Sequence, residues 1–412
     1  MTEDDLRVAV ARVLPGVTED LVRLARIPGI AFDGFDHSQV QRSAEAVAEL
    51  LRGAGLPDVR IVRKNGQPAV IGRRPAPPGA PTVLLYAHHD VQPIGDESQW
   101  LTPPFEPTVV GERLFGRGCA DDKAGVLAHV AALRAFGDAL PVGVVVFVEG
   151  EEEFGSESLE DLIREHREEL SADVIVIADS GNWDIGVPAL TTSLRGIVNL
   201  FVDVAVPGLV SGPAAPLEYP LDRFRTEAGM LPDTELIGTG RLVDRLWTKP
   251  ALAVLGIDAP RTSEAPNALV PTARAKVSLR LAPGDDPRKA YEAIKGYLEA
   301  QRPWGATVQV SLEQLGDACQ IDATGPAYDA VRAAFRTAWD GVEPVEIGVG
   351  GSIPFIATFQ ELFPRAAILV TGVEDPYSAA HGPDESLHLG EFQRVCLAEA
   401  LLLKNVAEAL TD

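Results

Sequence analysis

Cysteine is scarce in this chain. Cys119, Cys319 and Cys396 are far apart, odd in number and form no C-x-x-C pair. That excludes a disulfide framework or a cysteine-rich zinc site. Positive charge is also short: 36 Lys and Arg against 60 Asp and Glu leave a net charge of -24. So acidic a balance argues against nucleic acid or an anionic membrane as partner, since both are polyanions. No stretch is long and apolar enough to span a bilayer, and MTEDDLRVAV lacks the basic-then-apolar form of a signal peptide. The expected location is the cytoplasm. No G-x-S-x-G elbow is present to support a serine esterase.

The chain does have the means to build a large core. Its 412 residues are 46% apolar, and two domains are the expectation at that length. Helical spacing marks 3–14, 17–26 and 38–53. Buried-strand runs at Thr82–Ala87, Val142–Val148 and Asp173–Ala178 then alternate with helical stretches at Ala124–Phe136 and Ser158–Leu170. Continuous β-branched runs separated by helices indicate an α/β fold, a mostly parallel sheet covered on both faces. After Arg195 the texture changes. Ile197–Val206 and Ala273–Leu281 alternate as half-wet strands do, with Ala251–Ile257 and Ala306–Leu312 as further strands and Pro287–Ala300 as a helix. That predicts a small α+β domain, residues 196–315, inserted between catalytic parts 1–195 and 316–412. The α/β pattern then resumes with strand Ala367–Thr371 and a last helix, Glu391–Leu410.

Metal-type residues gather where the apolar runs end, which is where an open α/β sheet places its chemistry. His88, His89 and Asp90 follow the first strand. A lone H-x-D is more often a polar strand end, but a ligating histidine also commonly hands its other N–H to a carboxylate. His89 points to the opposite face and reads as structural. Asp121 and Asp122 open a helix, where aspartate is an ordinary cap. A carboxylate can also bridge two cations, and that role falls to Asp121, with Asp122 as cap or support. Glu149–Glu153 puts four acids into five residues, a cost that a dication would relieve. A two-metal hydrolase needs one carboxylate on metal and one free to take a proton, a division open to Glu152 and Glu153. Asp179 ends the third strand, and His381 lies in a loop after the fourth. His37, His129, His166 and His388 have bland helix or loop explanations. Each of these residues has an ordinary reading alone. Together they form a mixed N/O set suited to two divalent ions: zinc first, manganese or cobalt next.

The motifs YAHHDVQP (86–93), LFGRGCADDKAG (114–125), EGEEEFGS (149–156), IADSGN (177–182), GGSIP (350–354) and AHGPDES (380–386) occur in that order. With them, the chain resembles the zinc-dependent aminoacylase/carboxypeptidase/dipeptidase superfamily, and its dipeptidase branch most. The resemblance implies a di-zinc aminopeptidase-like catalytic domain carrying an inserted lid and dimerisation domain. It implies that His88 and Asp179 hold one zinc, that Glu153 and His381 hold the other, and that Asp121 bridges them. Asp90 would support His88, and Glu152 would be the general base. Arg280, Ser352 and Gly351 would serve the substrate carboxylate, with Asn267 near the scissile group. Without the resemblance, Arg280 reads as an exposed strand residue and GGSIP as a tight turn. The implied activity is hydrolysis of a dipeptide or an N-acyl amino acid.

One departure stands out. The family carries a His-Ser-Gly motif and a long helix after the first lid strand, and that histidine reaches the partner subunit's site. Here Val210-Ser211-Gly212 occupies the place, no histidine lies between His166 and His381, and residues 207–220 are short and rich in proline. The lid is therefore expected to be truncated and the family's homodimer is placed in doubt. The competing expectation is a metal-binding protein with impaired turnover.

Overall fold

The computed structural model describes residues 1–200, 217–231, 234–258, 273–302, 307–350 and 354–411. Asn267, Gly351, Ser352 and most of the proline-rich stretch lie outside the described residues. The chain divides into two compact units. One takes Met1–Thr191, Ala323–Glu346 and Thr358–Asp412, and the other takes Thr192–Asp322 and Ile347–Ala357.

The first unit opens on α1 (Glu3–Ala25), a single helix where sequence spacing predicts two. Thr2 and Asp5 cap it reciprocally, each side chain accepting the other's backbone N–H. Pro15 does not break it. The buried stripe Leu6, Val10, Val17, Leu21, Leu24 runs on past the proline, which lies on the exposed side. Next come α2 (Ser38–Gly53), then β1 (Asp58–Val62), β2 (Ala69–Arg74) and β3 (Thr82–His88). A small antiparallel pair, β4 (Thr108–Val110) and β5 (Arg113–Phe115), precedes α3 (Lys123–Phe136). There follow β6 (Gly143–Glu149), α4 (Leu159–Glu165), β7 (Val174–Ile177) and β8 (Ala189–Leu194). Helix α4 is shorter than its predicted span, since His166 is already its C-cap.

The second unit holds β9 (Gly196–Leu200), α5 (Leu221–Glu227), α6 (Leu242–Trp247), β10 (Ala251–Asp258), β11 (Arg274–Leu281), α7 (Pro287–Glu299) and β12 (Leu312–Gly316). Its sheet is antiparallel, in the order β10-β11-β9-β12. Val277, Leu279 and Leu281 of β11 point into a core with Val198 and with Ala290, Ile294 and Leu298 of α7. The last strand starts at Leu312 rather than ending there. The alternation of VQVSLEQL fits either span, and pairing with β9 decides it.

The chain returns through α8 (Pro326–Ala338), β13 (Val345–Val349), α9 (Pro354–Leu362), β14 (Ala367–Val370), β15 (Ser386–His388) and α10 (Leu389–Leu410). The main sheet runs β1-β2-β6-β3-β7-β14-β8. Its four inner strands β6, β3, β7 and β14 are mutually parallel, as the apolar runs predict. Helix α3 is buried on all sides because it packs against α1 and α10 as well as β3. Parallel neighbours end on the same edge, so His88, Glu149, Ile177 and Val370 bring four strand ends together. No helix among the described residues is long and apolar enough to cross a membrane.

Candidate metal centre and active site

That edge collects the predicted metal-type residues. His88, the last residue of β3, is fully buried. Its Nε2 lies 3.0 Å from Asp121 Oδ1 and 3.9 Å from Asp179 Oδ1. The other oxygen of Asp121 lies 2.9 Å from His381 Nε2, and that same nitrogen is 3.1 Å from Glu153 Oε2. Asp121 thus presents one oxygen to each histidine. Ligand atoms of His88, Asp121 and Glu153 lie within 4.8 Å of one another, as do those of His88, Glu152 and Asp179. Tetrahedral bonds of about 2.1 Å separate neighbouring donor atoms by roughly 3.4 Å. The observed 2.9–3.9 Å spacings bracket that value, so the donor set fits divalent ions in size and in chemistry.

The electrostatics point the same way. Burial, and then the charge of Asp121, push the Glu153 carboxyl up to about 7. Burial is also the main cause that raises Asp179 to about 6 and Glu152 well above the usual range. Burial works to lower His381, but hydrogen bonds to Asp121 and Glu153 outweigh it and raise the imidazole to about 11. His88 is raised too: burial opposes, and Asp121 and Asp90 prevail. Without a dication, protons are the only positive charge the cluster can recruit. Ions that displace them relieve the carboxylate repulsion.

Asp90 does more than the sequence suggests. His88 Nδ1 lies 3.1 Å from its carbonyl and 3.3 Å from Oδ1. Its two carboxylate oxygens also accept the backbone N–H groups of Glu152 and Glu153, each at 3.1 Å. It therefore fixes a histidine and both glutamates. Asp122 stands at the N-cap of α3 but makes no capping bond, and instead accepts from His88 N at 3.1 Å. Gln92, which sequence reasoning passed over, donates to Glu153 Oε2 at 2.7 Å. His381 adopts a left-handed backbone, φ 64°, a conformation that non-glycine residues hold chiefly where surroundings enforce it. A Cβ on Gly372 would meet the Ser180 carbonyl at 1.5 Å, so only glycine lets the chain after β14 lie against the Asp179 loop.

His89 and His388 have structural roles. His89 faces Pro68 O at 2.9 Å, and burial lowers it to about 4. His388 is not a loose loop residue: its Nδ1 accepts from Glu391 N and caps α10. In the second unit, Arg280 lies half-buried on β11 opposite Ile197 of β9. Arg195, which the sequence did not single out, donates Nε to Gly350 O at 3.0 Å, at the start of GGSIP. Burial and then the Arg280 charge lower it to about 10.

A parallel sheet whose strand ends converge on such a donor set suits a metal-dependent hydrolase, and the sequence relatives make the class metallopeptidase. The chain belongs to peptidase family M20/M25/M40, whose model matches residues 84–405. It is 32% identical over 406 residues to a cysteinylglycine-S-conjugate dipeptidase of Corynebacterium striatum, covering 88% of this chain and 89% of the relative. It is 25% identical to the Cys-Gly metallodipeptidase dug1 of Schizosaccharomyces pombe, covering 90% and 91%. That alignment runs over 443 residues, more than the 412 of this chain, so the relative carries residues with no counterpart here. Among solved structures, the dipeptidase Dug1p of Saccharomyces cerevisiae superposes with a TM-score of 0.89 at 22% identity, covering 99% of both chains, which establishes the shared fold.

Proposed function

We propose that this chain hydrolyses the peptide bond of a dipeptide, or the amide of an N-acyl amino acid, that carries a free carboxylate. The placement of Asp121 carries the reading: one carboxylate faces two histidines, one at a strand end and one from a distant loop. His88 and Asp179 would hold one ion, Glu153 and His381 the other, and Asp121 would touch both. Zinc fits the donors first, and manganese or cobalt are acceptable to the same set. When bound, such ions lower the pKa of a water and polarise a carbonyl.

The remaining work falls to the chain. Glu152 lies beside His88 and Asp179, and burial has raised its carboxyl. A carboxylate beside the ions but not bound to them can accept a proton from the attacking water and return it to the leaving amine. Asp90 keeps His88 and the Glu152-Glu153 pair in place. Arg280, Gly351 and Ser352 would receive the substrate carboxylate, with Asn267 beside the scissile group. In this scheme 1–195 and 316–412 form the catalytic domain and 196–315 the lid. The dipeptide is favoured over the N-acyl amino acid because both sequence relatives are named as dipeptidases. Assay of Cys-Gly and other dipeptides against N-acetyl amino acids, with added zinc or manganese, tests the reading. Metal-dependent release of free amino acids supports it, and no turnover with two ions bound refutes it.

That negative result would favour the second reading, a metal-binding member with impaired turnover. Its support is the absence of any histidine between His166 and His381, together with the longer dug1 relative. The same shortening supports a monomer, or a rearranged dimer, in place of the family's homodimer.

A further inference from the structure

We propose that the buried Arg117–Glu385 pair is a positioning device that registers the His381 loop against the Asp121 loop and so sets the occupancy of one of the two ion positions. The proposal rests on the paired-ion reading above. Glu385 is 0% exposed and Arg117 1%. Every donor on the Glu385 carboxylate comes from the loop that carries Asp121. Oε2 accepts from Arg117 Nη1 at 2.8 Å and Gly118 N at 2.9 Å, and Oε1 accepts from Ala120 N at 2.9 Å and Asp121 N at 3.0 Å. The Glu385 carbonyl also accepts from Gly116 N at 2.9 Å. Arg117 reaches the other way. Its Nη2 donates to Gly382 O at 3.1 Å, directly after His381, and to Pro93 O at 3.3 Å, directly after Gln92. Its guanidinium lies 5.2 Å over the Trp100 ring.

Stability alone does not explain such a pair. An apolar pair of similar volume often does as well in a core, because two charges must be desolvated. The charged pair adds direction. Four bonds converge on one carboxylate and fix 117–121, while the planar guanidinium carries that position to Gly382. Neither side chain touches His88, Asp179 or Glu152 in any of these contacts. The Glu153–His381 position depends on the pair twice, through Asp121 and through Gly382. The His88–Asp179 position depends on it only through Asp121. Disturbing Arg117 should therefore weaken the two ions unequally.

The test uses the full chain, zinc alone, and a chromophoric chelator as competitor. The wild type must first take up two ions. If it does not, the paired-ion reading fails and the present proposal is not at issue. Arg117→Lys keeps the charge but cannot span Glu385, Gly382 and Pro93 together. Glu385→Gln keeps the shape but turns an amide donor toward backbone N–H groups. Each variant should keep a folded melting transition, hold one zinc only slightly more weakly than the wild type does, and hold the second about 10–100-fold more weakly. For dipeptide hydrolysis kcat should fall while KM stays near the wild-type value, and raising zinc should restore part of the rate. Wild-type affinity for both ions in either folded variant overturns the proposal. So does equal weakening of both ions, or loss of both together with the fold, since each of those marks a merely structural role.

Discussion

Asp121 and Asp90 divide the labour at the smallest scale. One spends both oxygens on the ion-binding face, and the other spends both on backbone N–H groups behind it. Asp90→Asn leaves only one acceptor and puts an NH2 group against a backbone donor. Metal affinity or turnover should drop about 10–100-fold with the fold intact, as metal titration beside a melting curve would show. Both aspartates were legible in the sequence as metal-type residues, Asp90 after a strand end and Asp121 in the turn that opens a helix. The second job of Asp90 was not, because the N–H groups it accepts belong to residues 62 and 63 positions away. The role of Glu385 was invisible for the same reason: it lies in the motif that carries His381, 268 positions from Arg117.

Strands and helices deliver these side chains, and their own fastening can be tested. His129 of α3 sits between a carboxylate and a carbonyl. Nδ1 is 2.7 Å from Glu399 Oε1 on α10, and Nε2 is 3.0 Å from Tyr86 O on β3. Both partners are acceptors, so both ring nitrogens must carry protons. Burial opposes the charge, but Glu399 prevails and the pKa is raised above the ordinary 6.5. The sign follows. This contribution to stability is complete below the unfolded value of 6.5 and is lost as pH rises through the elevated folded value. His129→Ala strands Glu399 and should cost roughly 3–5 kcal/mol at mildly acidic pH, with a smaller loss at alkaline pH. Denaturant unfolding at both pH values checks this; an equal loss at the two would contradict the assignment. At this scale the sequence read best where burial was complete. β3, β6, β7 and β14 are continuous apolar runs, whereas the edge pair β1 and β2 shows no such run and was not placed. The prediction of two helices for α1 followed Pro15, but the stripe beneath it belongs to tertiary packing.

Across the whole molecule, the catalytic chemistry and the lid call for separate judgement. The candidate metal cluster lies within one compact unit, so its donors do not depend on residues 207–220. On the proposed reading of 196–315 as a lid, the lack of any histidine between His166 and His381 should appear in rate. Loss of an oxyanion partner lowers kcat by about 10²–10³, so dipeptide turnover should fall short, by such a factor under matched metal, of that of a relative that carries such a histidine. Equal rates would mean that another group supplies the contact. Composition argues against polyanionic partners at this scale, but it does not locate substrate groups, and Asn267, Gly351 and Ser352 were named only through the family resemblance.

The central claim is that two ions and Glu152 together perform hydrolysis. The most direct measurement is metal content per chain alongside single-turnover hydrolysis of a dipeptide by the wild type and by Glu152→Gln. The account predicts two divalent ions in both proteins, turnover in the wild type, and a rate about 10²–10⁴-fold lower in the variant. Undiminished hydrolysis by Glu152→Gln, or a wild type that hydrolyses without bound metal, would contradict it.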